Sequence, residues 1–199
     1  MNVLQIGCNK CDDHVTEYVS NNADKIDHLI LIDIDKSFVT HANRIYKNVK
    51  KLTTIVTAIT SDPTQKEITL YHLKHHMFSG HTSFSYKHMI DHKHSPKNIV
   101  EVNHSARTIT SVLEEYNIKE IERLYIDTEG LDVDILMTID YNKYNVSHIT
   151  FEHIHCGGAW KGNSTNPKLV QFLNYMNMNG YTNRPSATDS LNTDLIKRT

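Results

Sequence analysis

The sequence predicts an α/β fold, an open and mostly parallel sheet with helices on both faces. Three observations carry this. Strand-like and helix-like segments alternate five times along the 199 residues, with no internal repeat. Several strand segments are near-continuous apolar runs, the pattern of strands buried on both faces. Charged and polar residues gather where those runs stop, the rim on which such sheets bind ligands.

The elements follow in order. Val3-Leu4-Gln5-Ile6 reads as a strand and breaks at Gly7-Cys8-Asn9-Lys10-Cys11. Asp12 and Asp13 are N-cap candidates for a helix whose Val15, Tyr18 and Val19 share one face. His28 to Asp33 is a second strand. Ser37 is placed to cap a helix carrying Phe38, Ala42 and Ile45. Leu52 to Ile59 is a third strand, followed by a turn at Thr60-Ser61-Asp62-Pro63. Glu67 to Tyr71 alternates like a short extra strand. The polar, histidine-rich stretch 72–98 reads as a lid or substrate loop.

Ile99 to Val102 is a strand, and Thr108 to Tyr116 a helix with Ile109, Val112, Leu113 and Tyr116 in register. Arg123 to Asp127 is a strand, Asp132 to Ile139 a helix, and His148 to Glu152 a strand. Asn166-Pro167 opens a helix with an N-cap and proline at its first position, and Gly180 closes it as a left-handed cap. The last 19 residues are polar and have room for a short edge strand.

Composition narrows the function classes. Length fits a single domain, 1–199, large enough to bury a core without disulfides. With 21 basic against 23 acidic side chains, neither nucleic acid nor an anionic membrane is an expected partner. There is no membrane-length apolar stretch and no signal-peptide pattern. An odd count of three cysteines suits a reducing, cytoplasmic setting. Nothing in the sequence fixes an oligomeric state.

The strand ends hold the chemistry. Gly7 permits a sharp turn and close approach of a ligand to the backbone. Asp33 stands where a carboxylate accepts hydrogen bonds from ribose hydroxyls. Together they point to a nucleoside-bearing cofactor. The dinucleotide pattern Gly-x-Gly-x-x-Gly is broken here, and Asp12 would repel a pyrophosphate. S-adenosylmethionine has no phosphate and fits the turn better. Further rim residues are Thr57-Ala58, Asp127-Thr128-Glu129-Gly130 and Glu152-His153-Ile154-His155.

Val3 to Asn9, Ile32-Asp33, Thr57 to Asp62, Ile126-Asp127-Thr128-Glu129-Gly130 and Phe151-Glu152 together resemble the FkbM-type methyltransferases. The resemblance runs in order from residue 3 to Tyr181. It implies a Rossmann-like class I methyltransferase fold, S-adenosyl-L-methionine as cofactor, and O-methylation of a small-molecule, sugar or glycan acceptor. By this resemblance Gly7 and Asn9 border the methionine part of the cofactor. Asp33 holds the ribose, Ile34 packs on adenine, Ala58 with Ser61 or Asp62 lines the adenine edge, and Asp127 borders both cofactor and acceptor. The sequence departs from the family at Cys11, where a second glycine is usual, at Ile34 for proline, at Tyr125 for lysine and at Ile109-Thr110 for a Leu-Asp pair. No N-terminal covering segment is expected, because the chain starts at the first strand.

A hydroxyl acceptor must lose a proton, and Asp127, Glu129 and His155 are the acid/base candidates chosen from a rim that also holds Glu152 and His153. No metal ligand is assigned, although Asp127, Glu129 and Glu152 offer oxygen donors for a divalent cation. Two rival readings stand beside this one. Cys8-x-x-Cys11-x-x-His14 with His153-x-His155-Cys156 would make a zinc site. A cofactor fold without turnover would make a binding protein, with the histidine-rich segment as its contact loop. Trp160, beside Gly157-Gly158, is a candidate stacking platform for a sugar ring.

Overall fold

The structure, a computed structural model, describes residues 1–74, 82–156, 166–186 and 191–198. Its main sheet has seven strands. In chain order they are β1 (Asn2–Ile6), β2 (His28–Asp33), β3 (Leu52–Val56), β8 (Glu120–Ile126), β9 (Asn145–Glu152), β10 (Tyr181–Pro185) and β11 (Asn192–Lys197). They lie side by side as β10-β11-β9-β8-β1-β2-β3. All neighbours from β3 to β9 pair in parallel, and β11 is antiparallel to both β9 and β10.

Side-chain alternation explains why the strands are apolar throughout. Leu4, Ile6, Ile30, Ile32, Leu124 and Ile126 point to one face. There they meet α4 (Ile109–Glu115), α5 (Asp132–Leu136) and α6 (Pro167–Met178). Val3, Leu29, Leu31 and Tyr125 point to the other face, against α1 (His14–Asn21) and α2 (Phe38–Ile45). β1, β2 and β8 therefore each feed two cores.

A second sheet, in the order β4-β7-β5-β6, leans over the strand ends. It comprises β4 (Ala58–Ile59), β5 (Glu67–Leu73), β6 (Thr82–Ser83) and β7 (Ile99–Arg107). The helix α3 (Tyr86–Asp91) follows β6.

Several expectations are corrected. The single strand expected over Leu52–Ile59 is two. Val56 pairs with Asp33 in the main sheet, but Ala58 pairs with Ala106 in the second. Thr57 makes the crossing, with its N–H on the Asp33 carbonyl and its hydroxyl on the Ser105 carbonyl. A uniform β-branched run carries no mark of such a change of sheet. The strand at Ile99 continues to Arg107, paired with β5 as far as Ser105 and with β4 at Ala106 and Arg107. The tail holds the expected short edge strand, β10, and also a second strand, β11, which is interior. Its buried Asp194 accepts from the Thr150 hydroxyl at 2.8 Å and lies 3.1 Å from His148, so a polar strand is accommodated inside the sheet.

Asp13, not Asp12, caps α1, accepting from the N–H groups of Val15 and Thr16. Ser37 occupies the N-cap position of α2 but does not cap it. Its hydroxyl is held by Asp35. The helix at Asp132 ends at Leu136. The stretch 72–98 is more ordered than a plain loop, holding β6, α3 and the turn at Pro96–Asn98, with 75–81 outside the described residues. Trp160, Gly157 and Gly158 also lie outside them. Among the described residues no helix is long and apolar enough to cross a membrane.

Candidate functional site

From β1 the chain runs outward through β2 to β3 and then returns to the other side of β1 as β8. The strand order thus reverses between β1 and β8, and a crevice opens there at their carboxyl ends. Gly7 follows β1 and Asp127 follows β8. The two backbones are so close that a Cβ on Gly7 would lie 1.9 Å from the Asp127 carbonyl oxygen. Gly7 also has φ +80°, which an L side chain adopts at a cost.

The loop after Gly7 is held by Asp33. One carboxylate oxygen accepts from the N–H groups of Cys8 and Asn9, both at 2.8 Å, and the other from the Asp35 N–H at 2.9 Å. Asp33 therefore ties the ends of β1 and β2 together, and its oxygens keep lone pairs for a further donor. Burial pushes its carboxyl upward, and the three N–H donors pull against that. Cys11, at the position where the family usually has glycine, has φ +55°, which gives a physical reason for glycine there. Its buried side chain packs with Val15 and Phe38 beneath the sheet.

The loop after β8 is built by Asp132. This fully buried carboxylate accepts from the Thr128 hydroxyl at 2.9 Å, the Thr128 N–H at 3.2 Å and the Gly130 N–H at 3.4 Å. Glu129 is thereby held in the left-handed region, φ +56°. Its carboxyl is pushed up to about 8 by burial and then by Asp127 and Asp132. Burial, followed by Asp127, raises Asp132 to about 7. Burial also raises Asp127, which hydrogen-bonds to the Glu129 N–H and the Glu152 side chain. His155 is pushed down to about 4 by burial and by His88 and His92. Its Nε2 is 3.4 Å from Glu129 and 3.5 Å from Glu152.

The cleft encloses about 920 Å³ including its open mouth. Of the residues singled out from the sequence, it brings together Gly7, Asn9, Asp33, Ile34, Ala58, Asp127 and Glu129. Ser61 is not in the lining, and Asp62 turns onto Thr64. His155 stands at the rim, joined to the cleft through Glu129. His153 is fully buried and faces the Thr193 hydroxyl at 3.1 Å. The wall also holds Thr57 and Thr128, both read from sequence as rim residues, and Ile68, Leu70 and Phe84, which sequence reading missed. The alternation of Glu67-Ile68-Thr69-Leu70 marks one apolar face, but not the fact that this face roofs the crevice.

The cysteine–histidine zinc site is not formed. Cys8 and Cys11 lie in the core under β1 and β2, and Cys156 is buried with the helices of the opposite face. Among the described residues, no group that could hold a metal includes a cysteine. Burial pushes the Cys8 thiol far up, and the Cys11 and Cys156 thiols up to about 12. All three thiols are therefore expected to react slowly with a thiol-specific disulfide reagent in the native state and rapidly after unfolding. A thiol that reacts at the unfolded rate in native buffer would contradict this.

Fold and site together define a protein with an open cleft at the switch point of a mostly parallel α/β sheet. A family model described as Methyltransferase FkbM domain matches residues 1–182, and the chain belongs to that family. Among solved structures, the crystal structure of methyltransferase FkbM from Methylobacillus flagellatus KT is similar over 98% of this chain, with a TM-score of 0.54 and 13% identity. That likeness concerns the fold, and this chain spans 42% of the length of that one. No curated protein matches the chain.

Proposed function

We propose that the chain is an S-adenosylmethionine-dependent methyltransferase that methylates a hydroxyl of a sugar, glycan or small metabolite, with 1–199 as a single domain. The observation that carries this reading is the character of the cleft lining. Among the described residues it contains Asp33, Asp35, Asp127 and Glu129 but no lysine or arginine, beside an apolar slot of Ile34, Ala58, Ile68 and Leu70. Such a lining suits a sulfonium cation and an adenine ring, and opposes a pyrophosphate. When bound, S-adenosylmethionine supplies an electrophilic methyl group.

The chain's own residues then bind and align. Gly7 and Asn9 border the methionine portion, Asp33 offers its remaining lone pairs to the ribose, and Ile34 and Ala58 cover the adenine. Asp127 faces the acceptor hydroxyl and takes its proton, with Glu129 and His155 on the acceptor side. Alignment of nucleophile, carbon and sulfur is the larger contribution. Three free, buried cysteines support a reducing, cytoplasmic setting.

The test is transfer of a labelled methyl group from S-adenosylmethionine to a panel of sugars, glycans and hydroxylated metabolites. Asp127→Asn keeps the shape and removes the base, so turnover is expected to fall by about 10²–10⁴-fold while S-adenosylhomocysteine still binds. Full turnover in that variant would remove Asp127 from the role. Transfer to no hydroxyl acceptor would count against the O-methylation reading itself.

A further inference from the structure

We infer that the mouth of the cleft is a binding site for one divalent first-row transition cation of the zinc class, held by His88, His92 and His155 with the carboxylate of Glu129. The four ligands come from three separate elements. His88 lies on α3 and His92, one turn on, is the residue that caps its C-terminus; their rings stack at 4.3 Å between centroids. His155 follows β9, and its ring is 4.5 Å from that of His88 and 5.7 Å from that of His92. Glu129 follows β8 and projects from its left-handed turn.

Spacing is the first argument. The Glu129 carboxylate oxygen is 3.4 Å from His155 Nε2 and 3.6 Å from His88 Nε2. Both separations exceed the ordinary N–H···O range of about 2.7–3.2 Å. The shorter matches the edge of a tetrahedron around an ion with bonds of roughly 2.0–2.1 Å, which is roughly 3.3–3.4 Å, and the longer exceeds it by about 0.2 Å. The ligand atoms of His88, His92 and His155 lie within 4.8 Å of one another, as do those of Glu129, Glu152 and His155. Glu152, 3.5 Å from the same His155 nitrogen, is a further oxygen donor within reach.

Charge and docking give the second argument. Asp127 and Glu129 line one end of the cleft, with Glu152 beside them on His155 and Asp132 under the Glu129 turn, and among the described residues the lining has no lysine or arginine. A divalent ion there would favour the ionised form of the carboxyls around it. The element carrying two of the ligands is also already docked. A Cβ on Gly130 would lie 3.1 Å from the Phe84 ring and 3.2 Å from the His155 carbonyl oxygen, so the segment before α3 packs directly against the loop that carries Glu129. The donor set of imidazole nitrogens and one carboxylate selects zinc-class cations over magnesium or calcium. The ion would pin α3 across the strand ends. That this pinning shapes the acceptor side of the cleft rests on the methyltransferase reading. The binding of the metal does not.

The experiment uses the tag-free full chain, stripped with a chelator, and titrates it with Zn²⁺ and Co²⁺ alone. The expected result is one equivalent of tightly held Zn²⁺, a rise in melting temperature, and a Co²⁺ spectrum without a sulfur charge-transfer band. Loss of outer-shell partners alone weakens metal sites by up to about 100-fold, so His88→Ala/His92→Ala is expected to weaken Zn²⁺ by more than that. If the double variant fails to fold, His92→Gln at its exposed position carries the test, with a weakening of about 10-fold or more. Absence of stoichiometric Zn²⁺, undiminished Zn²⁺ binding in a folded variant, or a sulfur charge-transfer band would each overturn the site. Titration of the same samples with S-adenosylhomocysteine separates the two readings: zinc without that ligand sinks the cofactor pocket alone, and that ligand without zinc sinks the metal site alone.

Discussion

Gly7→Ala is expected to destabilise the fold by about 4 kcal/mol or more and to abolish binding of S-adenosylhomocysteine. A left-handed backbone costs a non-glycine residue about 1–2 kcal/mol. The added methyl carbon would also lie 1.9 Å from the Asp127 carbonyl oxygen, which must then move by more than an ångström. Asp127 cannot move alone, because its N–H is bound to the Ile6 carbonyl at 3.0 Å and its neighbour Thr128 is held by Asp132. One methyl group therefore strains the ends of two central strands at once. Urea unfolding with a parallel ligand titration measures both effects. A variant within about 1 kcal/mol of the parent that binds the ligand normally would contradict the close approach of β1 and β8.

Asp33→Asn is expected to cost about 2–3 kcal/mol and to weaken S-adenosylhomocysteine at least about 10-fold. Three backbone N–H donors converge on the two carboxylate oxygens, two on one side and one on the other. An amide has one oxygen, so one side must present N–H to N–H, and a buried donor is left without an acceptor. The loop from Cys8 to Cys11 and the start of the Asp35 turn then lose their common anchor. Ser61→Ala, outside the lining, is expected to change stability by no more than about 0.5 kcal/mol and to leave binding intact. Equal behaviour of the two variants would show that Asp33 is not the anchor described.

Much of this was legible before the fold was known. His28–Asp33 is read from sequence with both its bounds, because its apolar run feeds two cores and stops at a carboxylate. Gly7, Asp33 and Asp127 are legible because a parallel sheet collects its polar residues where strands end. Three features were not legible, each for a physical reason. Thr57 changes sheet inside an apolar run, and only the partners of Val56 and Ala58 reveal it. Asp33 looks like a free ribose acceptor, whereas its three backbone bonds depend on where the Cys8 and Asn9 N–H groups point. His88, His92 and His155 meet only because β6 and α3 fold back over the strand ends, so sequence shows scattered histidines where the fold makes a cluster. Cys11 departs from the glycine usual in the family, yet it takes the backbone conformation for which glycine is favoured and buries its thiol in the core.

The central claim is that the crevice between β1, β2 and β8, roofed by β5, holds the cofactor. Isothermal titration of the full chain with S-adenosylhomocysteine, repeated with Ile34→Asp, tests it most directly. Ile34 is half-buried and lines the apolar slot, so a carboxylate there opposes an adenine ring while leaving the two main cores intact. The expected result is binding at one equivalent, weakened at least about 10-fold by Ile34→Asp, a loss of about 1.4 kcal/mol, with an unchanged melting temperature. No heat of binding in the parent chain, or equal affinity in the variant, would contradict the claim.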